Sequence, residues 1–113
     1  MLDKYSEREY TSLIVNKKEF YNMNEIEKEI MLITQEECAE VTQAISKVFR
    51  FGMNDSYKGV TNREHLEEEV GDLMCMIDLL IESGVINEAA VMTAKHEKMN
   101  KLQTWSKIFS EIN

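Results

Sequence analysis

Apolar residues recur along this chain at intervals of three and four. Between residues 26 and 48 they are Ile26, Ile30, Ile33, Val41, Ala44 and Val48, which fall on one face of a long helix at about 100° per residue. A second stripe, Leu66, Val70, Leu73, Ile77 and Leu80, predicts a second helix. A third, Val91, Met92, Met99, Leu102, Trp105, Phe109 and Ile112, predicts a last helix that runs nearly to the C-terminus. Residues 3 to 20 scatter Tyr5, Tyr10, Leu13, Ile14 and Phe20, and read as a short helix or an arm that docks on another subunit.

Local signals place the boundaries. Asn24 is a helix cap with Glu27 three residues on, in the manner of a capping box, and Gly52 is a stop after Arg50 or Phe51. Thr61 or Asn62 caps the second helix, with Glu64 three residues after Thr61, and Gly84 ends it after Glu82 or Ser83. Asn87 caps the third. The stretch from Gly52 to Val60 is a loop by composition, and its Asn, Asp, Tyr and Lys suit a ligand-facing loop as well as a plain connector. The absence of proline favours long helices with few turns. The expected fold is all-α, a bundle of about four helices. It is one domain over residues 1–113, with an N-terminal helix or arm at 1–23 and a helical core at 24–112. A chain of 113 residues has little room for both a core and a polar pocket, so a homo-oligomer is expected.

Carboxylates interrupt the apolar faces. Glu37 falls in the middle of the first stripe and Glu40 at its edge, while Glu69 and Asp72 flank the second. Solvated charges usually take the opposite face of a helix, as Glu67 and Glu68 do here. Two carboxylate pairs on packed helices surround one pocket, and their burial requires a partner, for which a hard divalent cation is suited. A set without imidazole favours Mg²⁺ or Mn²⁺ over zinc or iron. The histidines, His65 and His96, read as surface residues, and neither has a glutamate three residues before it as di-iron bundles require. Mg²⁺ completes its shell with water and substrate phosphates, so the matching reaction is phosphoryl or nucleotidyl displacement by water.

Charge narrows the partners. The formal net charge of -8 opposes binding to nucleic acid. The N-terminal stretch MLDKYSEREY has no apolar leader and no window approaches a membrane span, so no membrane partner is expected and the expected compartment is the cytoplasm. Cys38 and Cys75 read as reduced, partly buried thiols. Lys95 and Lys98 fall on the apolar side of the last helix, where a lysine either snorkels or reaches a phosphate.

The pattern Glu36-Glu37-x-x-Glu40, then 28 residues (41–68), then Glu69-x-x-Asp72 resembles the EExxE…ExxD signature of the all-α nucleoside triphosphate pyrophosphohydrolases, the MazG-like superfamily. The stretches EECAEVTQAISKVFRFG, TNREHLEEEVGDLMCMIDLLIESG and KHEKMNKLQTWS are similar to short single-domain members, and the likeness covers roughly residues 28–107. The resemblance implies Mg²⁺-dependent cleavage of a nucleoside triphosphate between the α and β phosphates, in a homodimer or homotetramer. It implies Glu37, Glu40, Glu69 and Asp72 as metal ligands, with Glu36 and Glu37 as the candidates to orient or deprotonate the attacking water. Lys47, Arg50, Lys95 and Lys98 are the candidate phosphate contacts. Some deoxynucleotide-specific relatives carry an aromatic or amide four residues after the ExxD aspartate; here that position is Met76, so no base preference carries over. The alternatives are a non-catalytic acidic helical interaction protein, or a hydrolase of another nucleotide such as phosphoribosyl-ATP or an alarmone.

Overall fold

The computed structural model describes residues 23–112, so the N-terminal helix or arm expected before them lies outside the described residues. The described residues are all-α apart from one small hairpin. Its order is helix α1 (Glu25–Phe51), strands β1 (Ser56–Tyr57) and β2 (Val60–Thr61), then helices α2 (Asn62–Glu82), α3 (Glu88–Trp105) and α4 (Ile108–Ile112).

Each long helix starts where a short polar side chain can satisfy its first free N–H groups. Asn24 Oδ1 accepts from the Glu27 N–H at 2.8 Å, and Asn24 Nδ2 donates to Glu27 Oε1 at 3.0 Å. Thr61 forms a full capping box with Glu64. Asn87 Oδ1 accepts from the Ala90 N–H at 2.9 Å. The last helix does not run on as its apolar spacing predicts. Ser106 is extended, its hydroxyl donates to Leu102 O and accepts from the Ile108 N–H, and α4 restarts as a separate short helix.

The segment read as a loop contains the hairpin. Tyr57 pairs with Val60 and Ser56 with Thr61. Lys58 and Gly59, at φ 52° and 83°, make the turn with positive φ at both central positions, the conformation that matches strand twist in a two-residue connection. Three bonds tie this unit to the start of α2: Asn62 N–H to Asp55 O at 2.9 Å, Arg63 N–H to Met53 O at 3.0 Å, and Asn62 Nδ2 to Gly52 O at 2.8 Å.

The main packing is α1 against α2, an antiparallel pair. Ala44 is fully buried, and Met76 and Leu80 are the other buried apolar residues among those described. A small side chain at the crossing lets two helix backbones approach closely. On α2 this core lies along the Asp72-Met76-Leu80 ridge, while Val70, in the middle of the expected stripe, is exposed. Met76 is therefore a core residue of the pair. Much apolar surface stays open: Ile26 is 70% exposed, Phe49 86% and Trp105 84%.

Replacing Ala44 with Leu should overfill the α1–α2 crossing and lower stability by about 1–3 kcal/mol. Urea unfolding followed by circular dichroism reads this as a lower midpoint, and an unchanged midpoint would place the crossing elsewhere.

Candidate metal centre

Two helical ridges meet at the candidate site. On α1, Glu37, Glu40, Ala44, Lys47 and Phe51 follow one another at steps of three and four, so they line one side. On α2, His65, Glu69, Asp72, Met76 and Leu80 do the same. Burial of Ala44, Met76 and Leu80 puts the two ridges face to face. The acidic part of each ridge is thereby carried to the other.

Glu37, Glu69 and Asp72 each offer one carboxylate oxygen, and the three atoms lie within 4.8 Å of one another. Glu37 and Glu69 are half-buried and Asp72 is exposed at the mouth. Glu37 Oε2 is buried and has no hydrogen-bond partner. Loss of water around it raises the Glu37 pKa above the ordinary carboxylate value, and the negative charges of Asp72, Glu69, Glu40 and Glu36 raise it further.

The structure brings together three of the four expected ligands. Glu40 is exposed one turn along α1 and stands outside the trio, acting on Glu37 through its charge. Glu36 is exposed next to Glu37. Among the candidate phosphate contacts, half-buried Lys47 lines a cavity of about 530 Å³ that also takes in Phe51, Tyr57, Asn62, His65 and Glu68. Arg50 is exposed, and its guanidinium lies over the Phe51 ring, 5.1 Å from the centroid. Lys95 and Lys98 are exposed on α3 and do not line that cavity.

His65 departs from its reading as a surface residue. It is half-buried, with Nε2 3.3 Å from Glu69 Oε1. The signal was present as the four-residue step from His65 to Glu69, which puts both on one helix face. Cys38 and Cys75 are exposed free thiols rather than partly buried ones, since both sit beside the contact ridges and not on them.

These residues fit a hard divalent cation. The donors are all carboxylate oxygens, one of them is buried without a partner, and their mutual repulsion is what a cation relieves. Glu37, Glu69 and Asp72 are the side chains placed to hold it.

A raised carboxyl pKa has a definite sign in stability. The native protein retains a proton on Glu37 that the unfolded chain releases, so this contribution is full below the ordinary carboxylate pKa of 4.5 and is lost as pH rises through the raised value. Without divalent metal at about pH 7, Glu37→Gln should therefore melt at a higher temperature than the unmodified protein. Added Mg²⁺ should raise the melting temperature of the unmodified protein and leave that of the variant nearly unmoved. A variant that melts no higher in the absence of metal would contradict the repulsion.

The profile of the MazG nucleotide pyrophosphohydrolase domain matches residues 25–105. No curated protein and no solved structure matches the chain. The matched region runs from the first residue of α1 to the last of α3 and includes both acidic ridges. The chain belongs to the MazG nucleotide pyrophosphohydrolase domain family.

Proposed function

We propose that this protein is a Mg²⁺-dependent hydrolase that converts a nucleoside or deoxynucleoside triphosphate to the monophosphate and pyrophosphate. The observation that carries the reading is the convergence of Glu37, Glu69 and Asp72 around an unpartnered carboxylate oxygen within a MazG domain. Mn²⁺ satisfies the same oxygen donors.

In this reading Glu37, Glu69 and Asp72 hold the cation, and Glu40, on the same ridge as Glu37, completes the set when it binds. Bound there, the cation supplies Lewis acidity, neutralising phosphate charge and making a bound water more acidic. Water adds to the α-phosphorus, the bond from that phosphorus to the α–β bridging oxygen breaks, and pyrophosphate leaves. Glu36 or Glu37 takes the proton from the attacking water. His65, with Nε2 3.3 Å from Glu69 Oε1, holds that carboxylate in place. Lys47 stands on the same ridge as the ligands and reaches the polyphosphate as a point charge.

The exposed apolar surface favours a homodimer or homotetramer. Phe49, Ile26 and Leu32, all exposed in one chain, are the residues such an assembly would cover. Among the described residues no helix is long and apolar enough to cross a membrane.

Incubation with the eight common ribo- and deoxyribonucleoside triphosphates and Mg²⁺, scored for both products, should yield monophosphate and pyrophosphate in equal amounts from at least one. Asp72→Asn and Glu40→Gln should each lower kcat by about 100-fold or more with helicity retained. Full activity in both would remove them as ligands. Absence of both products, with phosphoribosyl-ATP and an alarmone added to the panel, would refute the reaction. Sedimentation equilibrium should return a multiple of the 13.2 kDa chain mass, and Phe49→Asp should shift it towards one chain. A monomeric unmodified protein would contradict the assembly.

A further inference from the structure

We infer that the cavity beside the carboxylates is the nucleoside site of the proposed substrate, with the Tyr57 ring as the stacking platform for its base. The inference rests on the hydrolase reading and adds to it the part of the protein that distinguishes a nucleotide from a bare polyphosphate.

The cavity is continuous with the metal centre through one side chain. His65 lines the cavity and also sits 3.3 Å from Glu69. The two residues are one helical turn apart, about 5.4 Å along the axis. On the facing helix Lys47, two turns from Glu40 on the same ridge, lines the cavity as well. A triphosphate held at the carboxylates therefore has one neighbouring hollow into which its nucleoside can extend. The volume of about 530 Å³ lies within the range of small-molecule sites, about 300–1,000 Å³.

The chemistry of the walls suits a nucleoside better than further phosphate. Lys47 and Lys58 are balanced by Asp55 and Glu68, so the hollow has little net charge to hold a polyanion. Its surface is mainly apolar, and two of its walls are the rings of Phe51 and Tyr57. Every nucleobase has a flat face that stacks on such a ring, and polar groups at the edge fix its orientation. One side of each ring is already engaged: Lys58 Nζ stands 5.4 Å from the Tyr57 centroid, and Arg50 covers Phe51. Lys58 lines the same cavity, so a base stacked on Tyr57 would lie beside its ammonium.

Tyr57 is also held in position. It pairs with Val60 across the Lys58-Gly59 turn, and the hairpin is tied to the start of α2 by the bonds from Asn62 and Arg63. Tyr57 is nevertheless 76% exposed, and no contact among the described residues requires it to be aromatic apart from the Lys58 ammonium over its ring. An exposed aromatic on a backbone anchored beside the carboxylates reduces the ordering cost of binding a flat ligand.

The test uses isothermal titration in Mg²⁺ with α,β-methylene triphosphate analogues of adenosine, guanosine, cytidine, uridine and thymidine, and with inorganic tripolyphosphate as the probe that lacks a nucleoside. The tightest analogue should bind at least about 10-fold better than tripolyphosphate, and Tyr57→Ala should remove most of that margin. Tyr57→Phe should keep it, and tripolyphosphate affinity should be the same in all three proteins. Equal analogue binding by Tyr57→Ala and the unmodified protein would overturn the inference. So would an unmodified protein that holds no analogue more tightly than tripolyphosphate, or a Tyr57→Phe loss as large as that of Tyr57→Ala. A protein that passes this test but cleaves none of the natural triphosphates keeps its nucleoside site and loses the proposed reaction.

Discussion

Repulsion among carboxylates held on facing helices is the constraint from which the rest of the account follows. Glu37, Glu69 and Asp72 are brought together by the burial of Ala44, Met76 and Leu80, the same ridges carrying both sets. Apolar packing thus holds like charges at a separation they would not choose. A buried oxygen without a partner marks where the compensation is missing. Structural ion pairs would resolve such a conflict with lysine or arginine, but among the described residues the groups that act on Glu37 are further acids, and Glu69 meets one imidazole. A divalent cation would relieve that repulsion, which is the ground for the proposed binding.

Helix ends and the site's acidic pairs were legible in the sequence because their causes are local. Asn24 with Glu27, Thr61 with Glu64 and Asn87 ahead of Ala90 each act within three residues, so spacing alone places the boundary. Glu37 was legible as a core-face acid for the same reason, since one helix suffices to define its face. Rotation of α2 was harder. Its apolar arc is broader than the contact it makes: Leu66, Leu73, Ile77 and Leu80 of the expected stripe are buried or half-buried, but Val70 is exposed and Met76, read as flanking, is buried. His65 was misread as a consequence, because its role depends on that rotation. The hairpin has strands of only two residues, too short for alternation to register, and its one local mark is the Lys58-Gly59 turn. The break at Ser106 is set by a side-chain hydroxyl competing for backbone groups, which apolar spacing does not report.

The helices divide by task. The α1–α2 pair and its hairpin contain the carboxylates, the cavity and the small core, whereas α3 leaves through the turn at Gly84 with most of its side chains in solvent. The described residues of one chain thus contain the candidate site but leave much of their apolar surface open. This separation explains why Lys95 and Lys98, although spaced to face an apolar side, have no place at the site within one chain. What they reach is decided by what covers α3, a question of assembly rather than of local sequence.

The central claim is that Glu37, Glu69 and Asp72 jointly hold a divalent cation. A crystal of the protein soaked in Mn²⁺ tests it directly through the anomalous signal of the metal. The account predicts a peak at coordination distance from oxygens of all three side chains. A well-diffracting soaked crystal with no peak there, or with the three carboxylates turned apart into solvent, would contradict it.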